Sequence, residues 1–480
     1  MDDADRPSLL DAEARGGDIA REGFRFQSEL AIARIPLWLT RSSFIEIISE
    51  AMGDVEARFF SLEHGTAREF AEYKNHEVTP ADFWRELERF EDLENAHPGA
   101  YFRFSLVCPG VGQRVVPIVR ALQRLRPALP FYDDAPGITE QSVAEFVELV
   151  EGLGKSAGFA RFLLARVVVD IDPPRSVVQG LERFRPVLEE QFPIFSELGS
   201  NAARTAYGAL AALLESRIGA VVARSELLDA LWGAAPAHRP KHDVTAIKTL
   251  TQHECLTDIP PYVPVDWSAF TGGESRTFPP TEAWEAEVAA PLKRIAAWIT
   301  ASGRERRVQL EGQRRLSAAF AFGAAFRAVT GFTISTNIHG EQWRTDAHPA
   351  SDEPGYEWEE QILNEGVGAQ AIAISIGVLR DPLSEVVRYL DEHEMRMPML
   401  SLVGADPIVS SEQLNGAGRH AKTRIMNLAG KLVTRETHLF MAVPSQFALF
   451  FGHRSNSIGT IYCYEWTGTS YAQSCTINAR

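Results

Sequence analysis

The sequence predicts an α/β protein made of two differently organised parts, and three observations carry that prediction. Between Phe44 and Lys74, three short β-branched and aromatic runs follow one another, flanked by amphipathic helices. From Thr139 to about Ala235 the pattern is helical. From Thr281 onward, apolar strands alternate with helices, the pattern of parallel sheets covered on both faces.

The elements follow in order. An acidic leader covers residues 1–18 and has no apolar core, so it is no signal peptide. A helix begins at Ile19, with Phe24, Gln27, Leu30 and Ala31 on one stripe, and Pro36 is expected to kink or end it. Strands are predicted at Phe44–Ser49, Val55–Leu62 and Arg68–Lys74. Thr79-Pro80 starts a helix with an apolar stripe through Phe83, Leu87 and Phe90. A strand at Tyr101–Val107 and a basic helix at Val115–Leu129, carrying Arg120, Arg124 and Arg126 behind Arg114, complete a small α/β/α layer. Within the helical stretch, FARFLLARVVVDI reads as a buried helix or a strand. The Pro- and His-rich AAPAHRPKHD and the loop-rich segment after it predict a linker over 236–280.

The C-terminal part opens with a helix from Thr281 to Ser302. Strands are predicted at Val308–Leu310, Phe332–Asn337, Ala371–Gly377, Met399–Val403, His438–Val443 and Ile461–Trp466. Between them lie the helix of EGQRRLSAAFAFGAAFRAVTG, a helix from Pro382 to Leu390, one carrying Arg419, Lys422 and Arg424, and one entered at Pro444-Ser445-Gln446.

Composition narrows the function classes. The chain has 480 residues, room for two or three domains, and is 45% hydrophobic and 23% charged, as in ordinary globular proteins. A net charge of −16 argues against a generally basic nucleic-acid coat, but local patches can still bind DNA. No apolar run reaches the roughly 18 residues of a membrane span, so a cytoplasmic protein is expected. Cys108, Cys255, Cys463 and Cys475 are scattered without a CxxC, which predicts free thiols and no zinc site. There is no Walker A motif, and no GxGxxG follows a strand, which disfavours ATP hydrolysis and Rossmann-type NAD binding.

The chemistry concentrates at two places. A period of two puts Phe70, Glu72 and Lys74 on one face of their strand, with Asp54 at the start of its neighbour. Two carboxylates, with the backbone carbonyl between Glu72 and Lys74, form a hard oxygen set for one Mg²⁺. A lysine beside them can orient a water and stabilise growing negative charge. The pattern resembles the PD-(D/E)xK nuclease motif, although a bare E-x-K is common in an acidic chain and also describes an exposed strand. In the C-terminal part, three strand-to-helix junctions are placed as nucleotide sites are: Gln313-Arg314 before a helix, Ser375 and Gly377 at the end of an apolar strand, and Ser445 at a helix start. Trp343, read in a polar loop, offers a ring for stacking on a base.

The segments QRRLSAAFAFGAAF, FTISTNIHGEQWRTD, AIAISIGVLRDPLSEVVRYL and ETHLFMAVPSQFALFFGHRSNSIGTIYCYEW resemble a SAVED domain, the sensor module of CBASS antiphage systems. GFRFQSELA, EAMGDVEARFF and FAEYKNH resemble the nuclease domain commonly fused to it. The resemblance implies a restriction-endonuclease-like α/β/α domain with a helical extension over 19–235 and a SAVED domain of two fused CARF/Rossmann-like units over 281–480. Asp54 and Lys74 fall where that family's metal acid and lysine fall. Many relatives carry Gln two residues before the lysine, where Glu72 here supplies a second acid. The resemblance carries over Arg314, Trp343 and Ser375 as ligand-binding residues, with Gln313, Gly377 and Ser445 beside them. The implied protein is a CBASS effector endonuclease. A cyclic di- or trinucleotide on the SAVED domain would drive self-association and switch on Mg²⁺-dependent, largely non-specific cleavage of double-stranded DNA. The competing class is a non-catalytic sensor that recruits a partner.

Overall fold

The computed structural model describes residues 12–132, 134–171, 177–252, 259–349, 356–365 and 370–479. Residues 1–11 of the acidic leader and Cys255 lie outside them. The chain divides into two compact units that meet in sequence at Pro240 and Lys241, with Ile259–Pro261 returning to the first.

The first unit opens with helix α1 (Ala12–Leu39), which starts before Ile19 and runs through Pro36 to Leu39. Strands β1 (Phe44–Ser49), β2 (Val55–Ser61) and β3 (Gly65–Tyr73) form an antiparallel meander. Helix α2 (Pro80–Ala96) is capped by Thr79, whose hydroxyl accepts from the Asp82 N–H, with Pro80 at the first helical position. Strand β4 (Tyr101–Cys108) then pairs parallel to β3. Helices α3 (Val116–Ala128), α4 (Pro136–Glu151) and α5 (Ala157–Arg166) follow. The FARFLLARVVVDI stretch is both helix and strand, because α5 passes directly into β5 (Val167–Ile171). The helical stretch also contains β6 (Val221–Ala223), which was not expected and lies among α6 (Val177–Gln191), α7 (Ile194–Leu198), α8 (Ser200–Ser216) and α9 (Arg224–Trp232). The resulting sheet has six strands in the order β5-β4-β3-β2-β1-β6.

Alternation along β3 splits the core in two. Phe70 joins Phe83, Leu87 and Phe90 of α2 on one face. Ala71 and Tyr73 join Ile32, Ile35 and Trp38 of α1 on the other. Residues of opposite parity on a strand point to opposite faces, so one strand serves both layers.

In the second unit, the segment expected to be a linker over 236–280 carries β7 (Thr245–Leu250) and β8 (Val263–Asp266). Both alternate buried and less buried residues, and both are integral to a five-stranded sheet ordered β11-β10-β9-β7-β8. A short turn α10 (Thr281–Ala283) leads through a π-helical turn at Trp284–Ala289 into α11 (Ala290–Ala301). Then come β9 (Arg307–Glu311), α12 (Leu316–Ala325), β10 (Thr333–Ile338) and β11 (Glu341–Arg344). A third sheet, ordered β12-β14-β13-β15-β16-β17, is built from β12 (Glu359–Leu363), β13 (Ala371–Val378), β14 (Met399–Gly404), β15 (Glu436–Ala442), β16 (Gly459–Trp466) and β17 (Tyr471–Ala479). Helices α13 (Leu383–Glu392), α14 (Ser411–Leu432) and α15 (Ser445–His453) connect them. Both sheets are parallel at their centres, as strand–helix alternation predicts. Antiparallel β11, β12 and β17 lie at their edges.

Helices α12 and α15 cross backbone against backbone. A Cβ at Gly323 would lie 2.0 Å from the Leu449 carbonyl oxygen, and one at Gly452 would lie 2.2 Å from the Phe320 carbonyl oxygen. At the start of α12, the buried Glu465 of β16 accepts from the Ser317 N–H at 2.7 Å, so a carboxylate from the third sheet caps this helix.

Candidate functional site

The structure gathers the predicted acid–lysine group at one end of β3. The turn into β2 is tight, and Gly53 makes it possible, because a Cβ there would press 2.4 Å from the Phe70 ring. The turn delivers Asp54, whose Oδ2 accepts from the Tyr73 N–H at 2.5 Å and whose Oδ1 accepts from Gln27 Nε2 of α1 at 2.7 Å. Glu72 is buried and Lys74 lies just past the strand, its Nζ donating to Glu72 Oε1 at 2.8 Å. Burial, and then the nearby charge of Glu72, push the Asp54 carboxyl up to about 7.

Two residues of α2 that the motif does not contain complete the group. Glu86 Oε1 pairs with Lys74 Nζ at 3.0 Å. Arg89 pairs with Glu72 Oε2 and with Glu86 Oε2, each at 3.2 Å, and donates to the Met52 carbonyl at 2.7 Å. A sequence signal for Glu86 exists: it falls on the apolar stripe of α2 beside Phe83, Leu87 and Phe90, where an unpaired carboxylate would be costly.

Among the described residues, no group of three or more His, Cys, Asp or Glu is placed to hold a metal ion. The set at this site is two carboxylates, Asp54 and Glu72. All its donor atoms are hard oxygens, and the crowding of negative charge on Asp54 is what a divalent cation would relieve. The residues therefore fit Mg²⁺ or a similar ion.

The second unit presents an open cleft of about 410 Å³ lined by Gln252, Trp267, Phe270, Gln313, Arg314 and their neighbours. Arg315, next in sequence, is committed to structure: it donates to the Thr271 carbonyl and covers the Phe278 ring. Arg314 differs. It donates to the Gly312 carbonyl at 2.7 Å and reaches Thr336 Oγ1 at 3.4 Å. Its buried Nε has no acceptor, and burial alone lowers its pKa to about 10. The Trp267 Nε1 donor is likewise buried without an acceptor. Two residues that line one cleft thus each keep a buried donor without an acceptor.

A family profile described as "SMODS-associated and fused to various effectors sensor domain" (SAVED) matches residues 291–477. CD-NTase-associated protein 4 from Moraxella osloensis is 27% identical over 98% of this chain and 99% of its own length. The protein of the same name from an Acinetobacter strain is 28% identical over the same shares. The chain is thus similar to CD-NTase-associated protein 4 along nearly its whole length. The structure of the Acinetobacter baumannii Cap4 SAVED/CARF-domain receptor, solved with the cyclic trinucleotide 2'3'3'-cAAA, superposes with a TM-score of 0.82. It does so at 24% identity, over 95% of this chain and 98% of that one.

Against the SAVED span, the ligand-binding residues expected from sequence separate into groups. Gln313 and Arg314 line the cleft. Trp343 lies on β11 and not in a loop, paired across from Thr336, and is only 7% exposed, so its ring is largely covered. Ser375 sits in the middle of β13, not at its end, and is fully buried with no partner for its hydroxyl. Gly377 is buried under the turn that follows, where a Cβ would meet the Arg380 carbonyl oxygen at 2.0 Å. Ser445 is half-buried as the first residue of α15. Trp267 and Phe270 precede the SAVED span, inside the supposed linker. The signal that could have found them is the alternation of YVPVDW, masked by its prolines. The acid–lysine group lies outside the SAVED span altogether.

Proposed function

We propose that this protein is a CBASS effector in which a cyclic oligonucleotide on the SAVED domain activates cleavage of double-stranded DNA by the first unit. The observation that carries the nuclease reading is the convergence of Asp54, from the β1–β2 turn, with Glu72 and Lys74, from the end of β3. The Asp54 carboxyl, raised by burial and by the Glu72 charge, is of the kind that clusters at functional sites. The ligand reading is supported by the acceptor-less donors of Arg314 and Trp267, and by the cyclic trinucleotide in the Acinetobacter baumannii relative.

In this reading Asp54 and Glu72 hold a divalent cation. When bound, Mg²⁺ supplies Lewis-acid polarisation of a phosphoryl oxygen. Gln27 and the Tyr73 N–H fix the Asp54 carboxylate by bonding to both of its oxygens. Lys74 places a positive charge beside the phosphodiester, orients the attacking water and offsets the charge that grows on the phosphate oxygens. Arg314 takes a phosphate of the messenger as a charge-assisted contact. Ligand binding favours a self-associated state, which it can do only by binding that state more tightly.

The test is degradation of linear duplex DNA with Mg²⁺ and each member of a panel of cyclic di- and trinucleotides. Cutting that requires one ligand and Lys74 supports the proposal. Tight ligand binding without metal-dependent cutting would instead make the protein a non-catalytic sensor that recruits a partner.

A further inference from the structure

We infer that Glu86 and Arg89 of α2 form a counter-ion latch that holds Glu72 and Lys74 paired until a divalent cation displaces Arg89. The inference rests on the reading of Asp54 and Glu72 as the cation-holding pair.

Both Glu72 oxygens are engaged, Oε1 by Lys74 and Oε2 by Arg89. Glu86 is only 5% exposed, and its two oxygens are taken by the same two cations. Two acids and two bases thus form a ring whose formal charges cancel without any ion. A buried carboxylate on an apolar stripe is costly unless paired, and removing one member of such a ring leaves the others uncompensated. Arg89 is the member best placed to move. Its guanidinium lies 5.4 Å from the Phe70 ring centre, is partly open to solvent, and donates to the Met52 carbonyl in the exposed turn that carries Asp54. A divalent cation held by Glu72 would have to take an oxygen that is already engaged, and Arg89 engages Oε2. The two therefore compete for Glu72 Oε2. Release of Arg89 would also free the Met52–Asp54 turn, so cation binding and turn geometry become linked.

The experiment is calorimetric titration of Ca²⁺ alone into the full chain, without DNA or nucleotide. Wild type, Arg89→Ala, Arg89→Gln and Asp54→Asn are compared, with a thermal melt of each to confirm folding. Arg89→Gln keeps an N–H donor for Met52 while removing the charge, which guards against simple loss of the helix contact. The latch predicts that both Arg89 variants bind Ca²⁺ roughly tenfold more tightly than wild type, the worth of one charge-assisted hydrogen bond. Equal or weaker binding by both Arg89 variants, with binding by wild type and its loss in Asp54→Asn, overturns the latch and leaves the cation site standing. Absence of Ca²⁺ binding in every variant overturns the latch and the cation-site reading together.

Discussion

The acid–lysine group of the first unit and the cleft of the second handle charge in opposite ways. At the first, Glu72, Lys74, Glu86 and Arg89 neutralise one another within hydrogen-bonding distance. At the second, Arg314 is held by a backbone carbonyl and a hydroxyl, with no carboxylate among the contributors to its pKa. A self-neutralised group can rest stably without a ligand. A half-buried guanidinium without a counter-ion remains less favourable until an anion arrives. The two units thus differ in whether charge is settled within the fold or left for a partner to settle.

That contrast can be broken most sharply at Lys74. Lys74→Ala should lower DNA cleavage by roughly two to four orders of magnitude, the usual reach of a positioned acid–base or charge-stabilising group. Binding of the cyclic nucleotide, followed by calorimetry, should not change. A next test uses acid. Burial drives the His453 imidazole down to about 4 in the folded chain, against an ordinary 6.5, while its Nδ1 bonds the Phe326 carbonyl. The neutral folded form loses ground once the unfolded chain starts to take up a proton. Stability of the second unit should therefore fall as pH drops from about 6.5 to about 4, by up to about 3 kcal/mol. Thermal melts across that range check this, and His453→Gln should make the profile shallower, with His438, which burial also lowers to about 4, supplying the remaining slope.

Arg314→Met is the mirror of the lysine test. It should weaken cyclic-nucleotide binding roughly ten- to a hundredfold and leave the thermal melt near wild type or slightly higher, since an unsatisfied buried donor disappears. Cleavage at saturating ligand would then persist. The smallest effect is expected at Gln27. Gln27→Ala frees one Asp54 oxygen and should reduce cleavage roughly tenfold, as loss of one hydrogen bond to a charged group does.

The fold was legible where local chemistry matched tertiary role. The strands around Asp54 and Glu72 alternate because each face meets a different core, so their pattern survives in the sequence. The sequence hid β6, whose three residues lie between helices, and β17, whose Gln473, Ser474 and Thr476 blur the apolar signal. It hid β7 and β8 behind neighbouring prolines. Pro36 misled in the other direction, because α1 continues past it under tertiary packing. At the candidate site, Asp54, Glu72 and Lys74 stand in a motif, whereas Arg89 approaches from a helix and has meaning only in three dimensions. In the second unit, junction patterns pointed to Arg314, which lines the cleft, and to Ser375, which the structure buries in the middle of β13.

The crossing of α12 and α15 has a bearing on which substitutions the second unit can tolerate. Gly323 and Gly452 set that spacing by main-chain contact, which no rotamer change can widen. A side chain at either position would run into the main chain of the opposite helix. The pair is thus a rigid weld, and a larger residue at either glycine could be admitted only by prising the two helices apart.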